Sequence, residues 1–253
     1  HVEGKTDPIR DIEIINVELI LADLEIIENR LNKIQKKAET KKDKEAVAEV
    51  AVLTKAKENL EKNIPLRLVD FSEEEKLLMK NFSFLTLKPL IYVANVLEDD
   101  VVLGENDYTK LVSEYAKKEN AGVIVMCCKM ESELSELNDD DKKIFLQELG
   151  ISNSGLDRLI FATYSLLGLE TFFTAGPDEC RAWTFRRGAN AKSCAGLIHS
   201  DIERGFIKAE VMSFDDLYQY KSELKVKEAG KLRLEGKDYL MQDGDIVYFR
   251  FHV

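Results

Sequence analysis

Residues 17–38 carry an apolar seam that leaves one architecture open to this part of the chain. Val17, Ile20, Leu24, Ile27, Leu31, Ile34 and Ala38 recur at alternating spacings of three and four, the heptad rule for a helix lying along another helix. The partner follows in the same chain. Ala46, Val50, Leu53, Leu60 and Ile64 continue the spacing, with Lys57 filling one gap, and Pro65 stops it. Asp7 and Pro8 suit the N-cap and first turn of the opening helix. The pattern predicts an antiparallel helical hairpin of about 30 Å or more, at ~1.5 Å per residue. Its tip carries Lys36, Lys37, Lys41, Lys42 and Lys44. Those lysines read equally as a solvated end or as a basic finger that touches RNA or a protein partner.

Beyond the hairpin, Ser72 and Glu75 form a capping-box pattern at the head of a short helix over 71–80. Residues 90–94 are continuously apolar, which predicts a strand buried on both faces. A helix carrying Tyr108, Leu111, Val112 and Tyr115 follows, then a second buried strand over 123–128 and a helix opening at 131–137. Such a strand–helix–strand unit is right-handed, and its ligands sit beyond the carboxyl ends of the strands. Asn95 and Glu98 stand at that edge, as does the turn Cys127-Cys128-Lys129. Two parallel strands alone leave both edges and faces uncovered, so the unit calls for more strands. Further helices are expected over 139–149 and 156–167, the second capped by Asn153 or Ser154 and ended by Gly168.

The last third reads as a separate α+β unit. Residues 181–185 alternate as a strand with Trp183 and Phe185 on one face. Ser193 is then the expected N-cap of a helix carrying Leu197, Ile198 and Ile202, closed by Gly205. Residues 206–211 are extended and Ser213 caps a short acidic helix over 214–220. A closing hairpin is expected from Tyr239 to Met241, through Gln242-Asp243-Gly244-Asp245, into residues 246–251. This is a ubiquitin-like β-grasp order, one option among several α+β folds.

The motifs carry a resemblance. R-A-W-T-F-R-R-G-A-N-A, A-G-L-I-H-S-D-I-E-R-G-F-I-K-A-E-V, K-E-A-G-K-L-R-L-E-G-K-D-Y and D-G-D-I-V-Y-F-R-F resemble the TGS domain that ends the Obg-like ATPase family, also called YchF. The likeness covers essentially the whole chain and is densest from Arg181 onward. It implies an α/β multidomain protein: an incomplete Rossmann-like P-loop NTPase domain in residues 1–16 and 79–170, an inserted coiled-coil hairpin in 17–78, and a TGS domain in 171–253. Asn95-x-x-Glu98 looks like the family's variant of the Asn-Lys-x-Asp base-reading motif. An Asp there accepts from two guanine donors, whereas adenine offers one donor beside an acceptor, so a longer Glu98 suits the preference for ATP. The implied nucleotide-base contacts are Asn95, Val96, Glu98 and Cys128. The family's small polar turn is replaced here by Cys127, Cys128 and Lys129, which leaves backbone N–H groups as the expected donors. His1 in His1-Val2-Glu3-Gly4 matches the family's H-v-x-G pattern, whose His positions the attacking water.

Some chemistry is missing from the sequence. No G-x-x-x-x-G-K-[ST] phosphate cradle occurs. The loose look-alike at 188–193 has Arg186 and Ala191 where the motif needs glycines. The chain also opens on His1 and reads as a fragment or processed product, with the P-loop and switch segments expected ahead of it. ATP and Mg2+ are therefore cofactors expected of the intact enzyme, and this chain alone is expected to be inactive. The alternative is a non-catalytic module that binds the ribosome or structured RNA through hairpin and TGS domain. No metal-ligand spacing stands out, and His199 and His252 read as structural. Trp183 reads as core.

Charge sets the remaining bounds. The net charge is −11, yet residues 176–253 hold 13 basic against 13 acidic groups, so the deficit lies entirely before them. That argues against general nucleic-acid binding by the whole chain, DNA included, and leaves room for a local basic face. No apolar run approaches the roughly 20 residues that span a bilayer, and no signal-peptide core opens the chain. Four cysteines without a C-x-x-C pair predict reduced thiols and a cytoplasmic protein.

Overall fold

The computed structural model describes residues 6–39, 43–176 and 179–252. The chain divides into two compact units, 1–159 and 160–253. The first opens with α1 (Pro8–Glu39), 32 residues or about 48 Å of helix. Asp7 Oδ1 accepts from Arg10 N at 3.2 Å. Then comes α2 (Lys44–Leu60), capped by Asp43, whose carboxylate accepts from Ala46 N. The two run antiparallel. Arg30 forks onto Glu49, with Nε–Oε1 at 2.5 Å and Nη2–Oε2 at 2.9 Å, and Lys57 meets Glu28 at 2.8 Å.

Between them Ile20, Ile27 and Ile34 pack on Val52, Leu53, Ala56 and Leu60. The α1 seam is the expected one, although Val17 is 43% exposed. In α2 the buried stripe is wider than the heptad, because Val52 and Ala56 join it. The cause lies later in the chain: Leu66, Phe71, Met79 and Phe84 complete the same core, so α2 is covered on a second flank. Lys57, expected to fill a seam position, turns aside to Glu28 and Glu61. The helix also stops earlier than Pro65 requires. Asn63 takes a left-handed φ of 58°, and a 3-10 turn (Leu66–Leu68) follows Pro65.

Next come α3 (Glu73–Met79), with the expected Ser72–Glu75 capping box, then β1 (Ile91–Asn95), α4 (Glu98–Leu103), α5 (Asp107–Lys118) and β2 (Gly122–Met126). The strands pair in parallel, from Ile91↔Gly122 to Asn95↔Met126. The expectation of strands buried on both faces fails here. Among the described residues each has one neighbour, and Val93 is 44% exposed. The apolar run codes for burial, and one flanking strand cannot supply it. The unit continues with α6 (Cys128–Ser135), three residues earlier than its sequence pattern suggested, and α7 (Asp139–Glu148), and α8 (Gly155–Leu167) begins in it and crosses the boundary at 159/160. Of the two candidate caps for α8, Ser154 is used: its Oγ accepts from Asp157 N.

The second unit contains β3 (Leu169–Ala175), β4 (Cys180–Arg186), α9 (Ala191–Ile198), α10 (Ser200–Arg204), β5 (Phe206–Ser213), α11 (Phe214–Tyr220), α12 (Glu223–Glu228), β6 (Arg233–Glu235) and β7 (Asp245–Phe251). The sheet order is β4-β3-β7-β5-β6, with β3 and β7 parallel and the other pairs antiparallel. One face holds Phe172, Phe185 and Phe249 against Ala191, Cys194 and Ala195 of α9. Trp183 belongs to that core and donates to Thr174 Oγ1 at 3.0 Å.

Three local expectations change. Strand β3 was not expected, and it supplies the sheet's central parallel pair. Asn190, not Ser193, caps α9, accepting from Ser193 N at 2.9 Å. The closing hairpin does not form. Segment 239–241 pairs instead with 189–191, through Ala191 N to Tyr239 O and Met241 N to Ala189 O, while β7 runs between β3 and β5. Gly205 is required where the chain turns into β5, since a Cβ there would sit 1.9 Å from His252 O.

Candidate nucleotide-base site

The carboxyl edge of the β1–β2 pair is built by the two loops that leave it. Asn95 is the last residue of β1, and its Oδ1 accepts from Cys128 N at 2.9 Å. Cys128 is the first residue of α6, so this one bond ties the two loops together. The bond also fixes the amide's orientation: the oxygen faces Cys128 N–H, and Nδ2 is left to donate elsewhere. Val96 N donates to Met126 O at 2.9 Å, which continues the ladder one residue past the strand. Glu98 opens α4, and its side chain makes no hydrogen bond or ion pair among the described residues. Cys128 is exposed and Cys127 buried.

Residues that no sequence motif marked hold the second loop in place. Glu131 of α6 accepts from Gly155 N at 2.7 Å and Leu156 N at 3.2 Å, satisfying free N–H groups at the start of α8. Arg158 Nη2 donates to Val125 O at 2.7 Å. A Cβ on Gly155 would lie 2.6 Å from Met126 Cβ, so that close approach needs glycine. Glu131 and Arg158 are separated by 27 positions in sequence and act on backbone atoms, so no short spacing reveals them.

A groove of about 610 Å³ runs along β1, lined by residues including Ile12, Val93, Asn95, Leu97 and Tyr108. Tyr92 donates to Glu119 Oε2 at 2.9 Å. Burial first, and then the Glu119 carboxylate, hold its phenol well above the usual tyrosine range, so it remains a donor at all ordinary pH.

The other expected site residues lie apart from this edge. Lys36 and Lys37 occupy the last turn of α1, and Lys44 opens α2, so these three flank the hairpin tip. Lys41, Lys42 and His1 fall outside the described residues. His199 caps α10, its Nδ1 accepting from Asp201 N at 3.2 Å, which is the structural role expected. Among the described residues no group of three or more His, Cys, Asp or Glu side chains is placed to hold a metal ion, and no helix is long and apolar enough to cross a membrane.

A parallel β-α-β unit with an asparagine-tied loop pair at its carboxyl edge, followed in the chain by a five-stranded sheet that is antiparallel but for one pair, defines a mixed α/β protein. Comparison with known proteins narrows the class. Residues 169–252 match the family YchF-GTPase_C, described as a protein of unknown function (DUF933). The chain is 55% identical to the "Ribosome-binding ATPase YchF" of Bacillus subtilis (strain 168), over 100% of this chain and 69% of that protein. It is 49% identical to the protein of the same name from Escherichia coli O157:H7, with the same coverage. The structure of the Schizosaccharomyces pombe YchF GTPase superposes with a TM-score of 0.87 at 34% identity, covering 99% of this chain and 68% of that one. The chain belongs to the YchF family.

Proposed function

We propose that this chain is the base-reading and ribosome-contacting part of an ATP-hydrolysing regulatory protein of the cytoplasm. In this reading residues 1–16 and 79–170 belong to the nucleotide-binding domain, 17–78 form its inserted coiled-coil hairpin, and 171–253 form a TGS β-grasp. The observation that carries the proposal is the Asn95 Oδ1–Cys128 N bond. It leaves the Asn95 amide free to donate to a purine ring nitrogen, a contact that adenine and guanine accept alike. Discrimination then falls on residue 98. Guanine presents two adjacent donors to a carboxylate and adenine only one, and Glu98 extends one methylene further than the Asp that would grip both. Val96 and Cys128 support the site through their backbone, the first by extending β1 and the second by anchoring Asn95.

ATP thus fits the described residues at its base. Its triphosphate and Mg2+ do not: the sequence has no phosphate cradle, and no metal-holding cluster occurs among the described residues. Accordingly this chain by itself should not hydrolyse ATP, and His1 is assigned the water-positioning role only within the intact enzyme. The relatives named ribosome-binding ATPases support the ribosome as partner, with Lys36, Lys37, Lys41, Lys42 and Lys44 as its phosphate contacts.

Measuring ATP and GTP affinities of the intact protein and its Glu98→Asp variant tests the site. Wild type should favour ATP and the variant should move toward GTP; equal affinities in wild type would sink the assignment. Reversing the tip lysines to Glu should weaken ribosome co-sedimentation and flatten its salt dependence by up to ~0.9 log unit per lost phosphate contact. If ribosomes bind but ATP does not, the non-catalytic module is the correct reading.

A further inference from the structure

Arg67 and Glu119 form a buried ion pair at the foot of the hairpin, with Nη2–Oε2 at 2.7 Å and side chains 7% and 8% exposed. Four elements of the fold meet on it. Arg67 belongs to the 3-10 turn that follows α2, and its Nη2 also donates to Asn16 Oδ1 of α1 at 3.1 Å. Glu119 caps the end of α5. The same Glu119 oxygen accepts from Tyr92 of β1 at 2.9 Å. The hairpin and the turn after it are also tied to residues 85–86: Arg67 N donates to Thr86 O, and Asp23 of α1 accepts from Leu85 N and Thr86 N. Tyr92 stands three residues before Asn95 on one strand, about 10 Å at ~3.3 Å per residue.

We propose that the Arg67–Glu119–Tyr92 cluster is the joint through which a load on the helical hairpin displaces β1 and so resets the base-reading edge. The proposal rests on the reading of Asn95 and Glu98 given above and names these three as positioning residues. Coupling of this kind needs an element with two arrangements, and the cluster has the means for a second one. Arg67 Nε is buried and meets no acceptor among the described residues, a costly state for a charged donor. A cavity of about 330 Å³ lies beside the pair, lined by residues including Asn16, Tyr115 and Glu119. A small shift of the hairpin foot can therefore exchange one set of Arg67 bonds for another. A merely structural ion pair would leave the same protein stable but would not connect its two binding events.

The test titrates N-methylanthraniloyl-ATP into the full-length protein with and without purified ribosomes. The ratio of the two Kd values is the coupling factor, and linkage requires the same factor in ribosome affinity with and without ATP. Glu119→Gln leaves the Arg67 charge without a counter-charge, so Tyr92→Phe, which removes one hydroxyl, is the decisive variant. Wild type should show a factor on the order of 5 or more. Tyr92→Phe should bind each ligand alone within about twofold of wild type while its factor falls toward one. A factor of one in wild type, or an unchanged factor in Tyr92→Phe, overturns the joint. Failure of wild type to prefer ATP over GTP overturns the base-site reading instead. In that event amide exchange of residues 91–95 decides the joint without nucleotide: exchange altered by ribosomes in wild type but not in Tyr92→Phe supports it, and any other pattern overturns it.

Discussion

Replacing Asp23 by Ala should strongly destabilise the hairpin unit although it removes no large apolar group. Asp23 is fully buried on α1. Its Oδ1 accepts from Leu85 N at 2.8 Å, and its Oδ2 accepts from Thr86 N and Thr86 Oγ1, both at 2.7 Å. Thr86 is itself 1% exposed. Truncation strands two backbone N–H groups and one hydroxyl where water has little access. Each stranded donor costs about 1–3 kcal/mol, although the hydroxyl can rotate to another acceptor. Against this, one buried carboxylate no longer has to be desolvated. The balance is a loss of about 2–5 kcal/mol, set by the two stranded N–H groups less the desolvation recovered. Thr86→Val removes only the hydroxyl and should cost about 1.5 kcal/mol. Urea unfolding followed by far-UV circular dichroism measures both. Trp183 is the sole tryptophan and belongs to the unit 160–253, so its fluorescence follows the other unit separately. A loss below about 1 kcal/mol for Asp23→Ala, or one no larger than that of Thr86→Val, would refute the view that this carboxylate anchors the hairpin to the segment leading into β1.

Two other predictions use different assays. Burial, with a smaller contribution from Asp245, pushes the Cys194 thiol up to about 12, so native protein at pH 8 should react with a thiol reagent at the exposed Cys128 and Cys180 and spare Cys194. The unfolded chain loses the Cys194 proton first, near the ordinary value of 9.0. Its contribution to stability is therefore complete below pH 9 and is lost as pH rises toward 12, and Cys194→Ala should reduce that alkaline loss in melts taken across the range. Gly155→Ala places a methyl 2.6 Å from Met126 Cβ and 2.9 Å from Glu131 Oε1. Overpacking of this kind costs about 1–3 kcal/mol, and thermal unfolding should show the drop; an unchanged Tm would mean that the contact relaxes freely.

Local sequence was enough wherever one element's periodicity or a short cap carried the information. The α1 seam, the Ser72–Glu75 box, the Ser213 cap of α11 and the β1–α5–β2 order all follow from residues within a few positions of one another. The placement of Asn95 and Glu98 at the carboxyl edge of β1 followed as well, because strand ends in a β-α-β unit fall at one edge whatever covers the strands. What needed the tertiary structure were the pairings between distant residues. The second buried flank of α2 exists because residues 66–84 fold over it. Strand β7 leaves its neighbour in sequence to pair with β3 and β5, since the backbone groups of 239–241 are satisfied by 189–191. Asp23, Glu131, Arg158 and the Arg67–Glu119 pair meet partners 24 to 63 positions away. A buried charge is tolerable only with its partners in place, and nothing in the local sequence says where those partners are.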